Sequence, residues 1–299
     1  MLENNERLYL RVVEAGSLKA AAEQIHADPS AVSRKIAALE DRLGVKLLTR
    51  STRRSVPTEA GAHYYEAMRV LLDQQAALEA RIAGAADNPV GRLRVAAPVD
   101  FGATFVAPVL HRLHDANAGL QVELLLGSTF SDLVEQGIDV AIRIGRLPDS
   151  SLIARRLGAV RRVLVASRAY LEAEGAPEVP EDLAAHPFIF YRPEQMNTAF
   201  TMTREGRGHR VQMSGTFCVN SVSAIRDLVA AGKGLHLGPS WVFSEGIADG
   251  SIVPVLPEYE LEAYPLHALY VPSLYVPAKV RAFIDLMAGT VRGNEMLSP

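Results

Sequence analysis

Cationic side chains are concentrated in one short segment near the start of the chain. Between Pro29 and Val56 only Glu40 and Asp41 are acidic. The basic residues in the same segment are Arg34, Lys35, Arg42, Lys46, Arg50, Arg53 and Arg54. The whole chain carries a formal net charge of only -3, so the positive charge is a local feature. Such a patch suits phosphate oxygens and predicts a surface that binds a polyanion.

Three short helices are predicted to position this patch. Apolar residues at helical spacing predict a first helix that ends at Gly16. Ser17 is a good N-cap for a second helix. Asp28 as N-cap and Pro29 in the first turn begin a third helix, and Gly44 supplies a left-handed residue at its end. The order of short helix, tight turn and helix is typical of a helix-turn-helix unit.

The third predicted helix carries small polar and basic residues on its outward face, namely Ser30, Ser33, Arg34 and Lys35. In a helix-turn-helix this face enters the major groove, so these residues are candidates for reading bases. The alternative is that the cations are ordinary surface charge on a helical bundle, since patterns of this kind occur by chance.

A hairpin, or wing, is predicted after the third helix. Its two arms are VKLL and SVPT, and its tip is polar and rich in arginine. Arg50, Arg53 and Arg54 on the wing would contact phosphates or an adjacent minor groove. Such contacts supply affinity and salt dependence rather than sequence reading.

A long helix is predicted from Thr58 as N-cap to about Ala86, where Asp87, Asn88 and Pro89 end it. Alternating steps of four and three, the spacing of a coiled-coil seam, relate the residues Tyr64, Met68, Leu71, Gln75, Leu78 and Ile82. The length of the helix favours a seam between two copies of the chain. The alternative is a helix that packs on its own domain.

Strands alternate with helices from Gly91 onward. The predicted strands are LRVAA, QVELLL, DVAIRIG, RRVLVAS, FIFY, GTFCV, LHLG and SIVPVL. The predicted helices cover residues 100–113, 131–137, 221–231 and about 280–287. The first three strands and their helices predict a parallel α/β sheet that is buried on both faces, and the whole set is enough for two α/β lobes.

Candidate ligand-binding residues follow from the rule that ligands gather at the carboxyl ends of strands and at helix N-termini. In the first lobe they are Ala97, Pro98, Val99 and Asp100 after one strand, and Gly127, Ser128 and Thr129 after the next. In the other lobe they are Phe190, Tyr191, Asn220, Ser221, His236 and Pro239. Each residue taken alone could equally be a cap or a packed loop residue.

Composition places the chain among folded globular proteins, with 48% hydrophobic and 22% charged residues. The sequence shows neither a leader pattern nor an apolar stretch of bilayer length, so the cytoplasm is the expected compartment. The single cysteine, Cys218, cannot form an intrachain disulfide, which fits a reducing compartment. Its place in an apolar strand favours a packed small hydrophobe over a reactive thiol.

The sequence argues against two other functional classes, an enzyme and a transport-type binding protein. An enzyme is disfavoured because the chain has no nucleophile elbow, no zinc-protease histidine pair and no phosphate-binding loop. The pair His111 and His114 fits a helix surface better than a metal site, and we expect no cofactor and no metal. A transport-type binding protein is disfavoured by the absence of a leader and by the basic N-terminal segment.

The N-terminal stretch resembles LysR-type transcriptional regulators over SLKAAAEQIHADPSAVSRKIAALEDRLGVKLLTRSTRRSVPTEAG. The likeness continues more weakly through GRLRVAAPVDFG, GIDVAIRIGRLPDSSLIARRLG and VNSVSAIRDLVAAGKGLHLGPSW. It implies a winged helix-turn-helix in 1–58, a linker and dimerisation helix in 59–88, and a two-lobed α/β effector domain similar to type II periplasmic binding proteins in 89–299.

The same resemblance implies the partners: double-stranded promoter DNA, a small-molecule effector between the lobes, and a second copy of the chain in a homodimer or homotetramer. Carried over by position, the DNA contacts are Pro29, Ser30, Ser33, Arg34 and Lys35 on the helix, and Arg50, Arg53 and Arg54 on the wing.

Overall fold

The computed structural model describes residues 4–50, 55–82, 88–127, 133, 136–273 and 275–297. Several predictions lie outside this range: the wing tip with Arg53 and Arg54, the end of the long helix at Ala86 and Asp87, the loop residues Ser128 and Thr129, and most of the helix predicted at 131–137. Among the described residues, no helix is both long and apolar enough to cross a bilayer.

The N-terminal domain contains three helices and a short hairpin: α1 (Asn5–Ala15), α2 (Leu18–Gln24), α3 (Pro29–Leu43), β1 (Leu48–Arg50) and β2 (Ser55–Pro57). The predicted caps are confirmed. Ser17 Oγ accepts from the Ala20 amide at 3.1 Å, and Asp28 Oδ1 accepts from the Ser30 amide at 2.7 Å. Gly44 ends α3 in the left-handed conformation, with φ of 69°. Local hydrogen bonding therefore sets the boundaries of these helices.

A buried carboxylate ties the hairpin to α3. Glu40 lies on α3, and its Oε1 accepts from the amides of Leu47 and Leu48 at 3.0 and 3.2 Å. Lys46 Nζ donates to Oε2 at 2.9 Å. Burial opposes ionisation of Glu40, but Lys46 and the two amides lower its pKa below the usual value. The base of the wing is thus held against α3 by a charged acceptor.

The long helix α4 (Glu59–Ile82) begins as predicted, with Thr58 Oγ1 accepting from the Gly61 amide at 3.0 Å. Its first turns pack on the N-terminal core, since the rings of Tyr64 and Tyr9 lie 5.7 Å apart. Tyr9 Oη also donates to the Gly61 carbonyl at 2.9 Å. A Cβ at Gly61 would overlap the carbonyl oxygen of Leu47, so this close approach requires glycine.

The predicted seam of α4 has two different environments. Tyr64 and Met68 pack against the N-terminal core, as expected for a helix that packs on its own domain. Leu71 is 56% exposed and Ile82 is 78% exposed. The second half of the seam therefore remains on the surface of a single chain.

Lobe I is built on a five-stranded sheet. Its strands are β3 (Gly91–Ala97), β4 (Leu120–Leu126), β5 (Val140–Ile144), β6 (Ile153–Val160) and β15 (Tyr264–Tyr270), in the order β4-β3-β5-β15-β6. The helical region after β3 comprises α5 (Val99–Phe101), a π-helical segment (Gly102–Val106) and α6 (Ala107–Asp115). His111 and His114 lie on the exposed side of α6 as predicted.

The predicted parallel arrangement of the first three strands is confirmed, and an antiparallel strand lies beside them in the same sheet. Strands β3, β4 and β5 are mutually parallel, but β15 pairs antiparallel with both β5 and β6. The reason is the path of the chain, which leaves lobe I after β6 and returns from the other lobe through β15 in the opposite direction.

Lobe II contains three smaller sheets. Its elements are β7 (Arg162–Ser167), α7 (Arg168–Glu174), β8 (Pro187–Phe190), β9 (Ala199–Arg204), β10 (Arg207–Gln212), β11 (Ser214–Cys218), α8 (Val222–Ala230), β12 (His236–Pro239), α9 (Ser240–Ala248), β13 (Ile252–Pro254) and β14 (Glu260–Leu261). The chain then returns through β15 (Tyr264–Tyr270) and ends with α10 (Ala278–Arg292), which packs on lobe I. Cys218 is half-buried and packs against the core of lobe II.

Candidate functional site

The polar face of α3 lies at the surface of the N-terminal domain. Pro29, Ser30 and Arg34 are exposed, and Ser33 and Lys35 are half-buried. Four of these five positions on the first two turns carry a hydroxyl group or a cation, and none of the five belongs to the core. The opposite side supplies Val32, Ile36 and Leu39 to the core. A helix with this division can lie in the major groove with its N-terminal turns toward the bases.

The wing is the second part of this face. Its strands pair antiparallel with Leu48 opposite Pro57 and Arg50 opposite Ser55. Arg50 ends β1 next to the tip, while its side chain and the residues Arg53 and Arg54 lie outside the described part of the chain. The hairpin therefore places the backbone of Arg50 on the domain that presents α3.

A cavity of about 300 Å³ lies between the two lobes. Lobe I contributes the loop after β3, the end of β5 and the start of β15. Lobe II contributes the segment after β8, the first turn of α8, strand β12 and the start of α9. Five of the predicted residues line it: Pro98, Asp100, Tyr191, His236 and Pro239. Strand ends and helix starts from both lobes therefore meet in one place, as expected for an α/β ligand site.

The other predicted loop residues that the structure describes have different positions. Phe190 is 3% exposed and belongs to the core of lobe II, because it points to the opposite face of the chain from its neighbour Tyr191. Ala97 is fully buried beneath the loop. Val99, Gly127 and Asn220 are not among the residues that line the cavity. Ser221 Oγ donates a hydrogen bond to Asp100, which itself lines the cavity.

Asp100 bridges the lobes by capping α8. Its Oδ2 accepts from the Val222 amide at 2.9 Å, and its Oδ1 accepts from Ser223 Oγ at 2.6 Å and from Ser221 Oγ at 3.4 Å. A carboxylate at a helix N-terminus meets unpaired amides and the positive end of the helix dipole. The anion site at the start of α8 is therefore occupied by the protein itself.

His236 forms part of the cavity wall and is 3% exposed. Its Nδ1 lies 2.8 Å from the carbonyl oxygen of Ile189. A carbonyl only accepts, so Nδ1 carries the proton and donates, leaving Nε2 as an acceptor. Burial lowers the pKa of His236 to about 4, and the ring is neutral at pH 7. Nε2 has no hydrogen-bond partner among the described residues.

Residues that the sequence interpretation missed give the cavity its charge and aromatic surface. They are Phe101, Arg143, Arg146, Arg192, Gln195, Trp241 and Tyr264. Arg143 could have been identified from the sequence, because an arginine is unusual in an otherwise apolar, buried strand such as β5. Trp241 is the only tryptophan in the chain, and its ring lies 6.4 Å from that of Phe101 and 5.1 Å from that of Phe105.

Two family models together match almost the whole chain. The model of the bacterial regulatory helix-turn-helix protein, lysR family, matches residues 4–62. The model of the LysR substrate binding domain matches residues 86–292. The first match includes α3 and the hairpin, and the second includes every described residue that lines the cavity.

Curated relatives extend over nearly the full length. The HTH-type transcriptional activator AaeR of Escherichia coli K12 is 35% identical over 93% of this chain and 90% of its own length. The HTH-type transcriptional regulator CrgA of Neisseria meningitidis serogroup C is 32% identical over 98% of this chain and 99% of its own. Both are named as transcriptional regulators rather than enzymes.

Solved structures of similar length share the fold. The full-length structure of the Vibrio cholerae virulence activator AphB matches with a TM-score of 0.59 and 31% identity, covering 97% of this chain and 99% of that one. The structure of CrgA from Neisseria meningitidis matches with a TM-score of 0.60 and 30% identity, covering 97% and 98%. The chain belongs to the LysR family of bacterial helix-turn-helix transcriptional regulators.

Proposed function

We propose that this protein is a regulator that binds specific promoter DNA as a homo-oligomer and whose binding is modulated by a small molecule held between the lobes of the effector domain. The observation that carries the proposal is the joint presence, in one chain, of an exposed polar and basic face on α3 and a cavity between two α/β lobes. The family membership supports both halves of the proposal. No catalytic step is part of it.

The DNA contacts are assigned by position on the domain. Arg34 is exposed on the second turn of α3, where a guanidinium can form a bidentate contact with a guanine edge. Pro29, Ser30, Ser33 and Lys35 flank it on the same turns and would contact bases or phosphates. Arg50, Arg53 and Arg54 on the wing would contact phosphates and set the salt dependence of binding.

The test is a comparison of specific and random DNA. An operator is first selected from a random duplex pool with the full-length protein, and dissociation constants are then measured for the operator and for scrambled DNA. Arg34→Ala is expected to weaken operator binding by about tenfold to a hundredfold, with a much smaller loss on scrambled DNA. Arg204→Ala is the matched control, since Arg204 is a half-exposed arginine on β9 that pairs with Glu258.

Equal losses on operator and scrambled DNA for Arg34→Ala would remove its role in reading bases. A wild-type protein that enriches no sequence from the pool would contradict the proposed function itself.

A further inference from the structure

We infer that the cavity between the lobes takes a compact aromatic carboxylate, with its carboxylate held by Arg143 and Arg192 and its ring against Trp241 and Phe101. The inference rests on the proposed effector-dependent function and names the chemical class of the effector. It is argued from the charge, the volume and the aromatic surface of the cavity wall.

The cavity wall is positively charged. Among the described residues it contains Arg143, Arg146 and Arg192 and one carboxylate, Asp100. The carboxylate is committed to the start of α8 by its hydrogen bonds to Val222 and Ser223. Arg146 is exposed at the rim, where it pairs with Glu262 at 3.3 Å. A ligand inside the cavity therefore meets a positive potential from Arg143 and Arg192.

Arg143 and Arg192 come from different lobes and act on each other. Arg143 lies on β5 of lobe I and Arg192 follows β8 of lobe II. Burial first, and the charge of Arg192 second, lower the pKa of Arg143. An anion between the two guanidinium groups stabilises the charge of the partly desolvated Arg143 and screens its repulsion from Arg192. The planar guanidinium fork matches the two oxygens of a carboxylate.

The amides at the start of α8, which could otherwise bind an anion, are already paired. Ligand carboxylates often sit at helix N-termini, but the amides at the start of α8 already serve Asp100. The carboxylate of the ligand is therefore directed to the arginine side of the cavity.

The remaining wall favours a ring. Trp241 and Phe101 both line the cavity and pack edge to face, and Tyr191 and Tyr264 add further aromatic surface. The volume, about 300 Å³, lies at the lower end of the range for small-molecule sites, about 300–1,000 Å³, and suits a compact molecule.

The experiment uses the fluorescence of Trp241, which reports on this cavity because the chain has no other tryptophan. The full-length protein is titrated with benzoate and phenylacetate and with their uncharged analogues benzamide and phenylacetamide. We expect both carboxylates to change the emission saturably and to bind at least about tenfold more tightly than the matching amides.

Arg143→Gln and Arg192→Gln provide the test of the assigned residues. Each is expected to weaken carboxylate binding by about tenfold or more and to leave amide binding nearly unchanged. Arg192 is exposed, so its variant keeps the test valid if replacement of the more buried Arg143 prevents folding. Arg204→Gln, outside the cavity, is the matched control and should bind as the wild type does.

Three results would each overturn the inference: amides that bind as tightly as the carboxylates, Arg192→Gln that retains wild-type carboxylate affinity, or no response of Trp241 to either carboxylate. None of these three results by itself contradicts the proposed regulatory function, which has its own test. Operator binding is measured separately, and a cavity that prefers neutral compounds but still changes operator affinity would leave the regulatory function standing.

Discussion

At the residue scale, the cavity wall includes a histidine, His236, whose protonation is energetically unfavourable. The His236 ring is buried, donates through Nδ1 to Ile189, and lies against Gly238. A Cβ at position 238 would overlap the imidazole, so the glycine leaves room for the ring. Protonation would place a charge in a desolvated site close to Arg162, which also lowers the pKa. The neutral ring is therefore a fixed acceptor rather than a pH switch.

This burial predicts a pH dependence of stability. Between about pH 6.5 and 4 the unfolded chain binds a proton at His236 that the folded chain does not, since the folded pKa is about 4. Stability is therefore complete above the unfolded pKa and falls as the pH drops through this window, by up to ~1.4 kcal/mol per pH unit. Thermal unfolding of wild type and His236→Gln at pH 7 and pH 5 measures the effect.

The variant is expected to lose less stability than the wild type between the two pH values. Part of the decline should remain, because burial also lowers the pKa of His267. An identical decline in both proteins would contradict the assignment of a neutral, buried His236.

Some of the cavity could be found from the sequence and some could not. Pro98 and Asp100 follow β3 and Pro239 ends β12, so the rule for α/β sheets found them without further information. Arg143 and Arg192 were missed because their shared position in the cavity depends on how two lobes face each other, which no local pattern encodes. The capping role of Asp100 was missed for the same reason, since its partners Ser221 and Ser223 are more than 120 positions away in the chain.

At the element scale, a buried ionic network joins α4 to lobe I. Arg69 of α4 contacts Asp139 at 3.3 Å and donates to the Gly137 carbonyl. Lys279 of α10 contacts Asp73 of α4 and lies 3.5 Å from Asp139. The side chains of Arg69, Asp139 and Lys279 are 5, 6 and 3% exposed. Asp139 is the shared acceptor, and its Oδ2 also receives the Arg94 amide at 2.8 Å.

Removal of this acceptor should destabilise the protein strongly. Asp139→Asn leaves Arg69 and Lys279 with less compensating charge in a buried site, a change that typically costs about 3–5 kcal/mol. The control is Asp285→Asn, which breaks the half-exposed pair with Arg155 (2.8 Å) and should cost about 0–1 kcal/mol. Urea unfolding compares the two, and equal small losses would show that the network does not hold α4 to lobe I.

Elements with local signals were predicted well. Helix α1 ends at Gly16 as predicted, and α2 and α3 begin at their predicted caps, Ser17 and Asp28. Strand β15 was missed, together with β6 and the β9–β10 hairpin, although Gly206 at the hairpin turn, with φ of 76°, offered a turn signal. The antiparallel direction of β15 depends on the return of the chain from lobe II, which is a property of the topology and not of the strand.

At the scale of the whole molecule, we expect the exposed half of α4 to pair with a second copy of the chain. Leu71 and Ile82 are exposed at seam spacing, and apolar residues at this spacing bury each other in a helix pair. Leu71→Lys is expected to shift the full-length protein toward smaller oligomers in light scattering. Ala76→Lys, exposed on the same helix outside the seam, should not, and an unchanged mass for Leu71→Lys would place the dimer contact elsewhere.

Two strands of lobe I, β5 and β3, connect the cavity to the ionic network at the linker helix α4. Asp139, the centre of the ionic network, immediately precedes β5, and Arg143 near the other end of β5 lines the cavity. Strand β3 runs between the same two places, from Arg94 beside Asp139 to Pro98 at the cavity. A ligand that moves Arg143 can therefore bias the docking of α4 through rigid, packed elements. Coupling of this kind is a free energy and must act equally in both directions.

The most direct test is the affinity of benzoate, read from Trp241, for the free protein and for the protein saturated with its selected operator. If cavity occupancy controls DNA binding, the two dissociation constants should differ by about 5- to 150-fold, and operator affinity should change by the same factor when benzoate is saturating. Saturable binding of benzoate with the same dissociation constant in the presence and absence of operator would contradict regulation through this cavity.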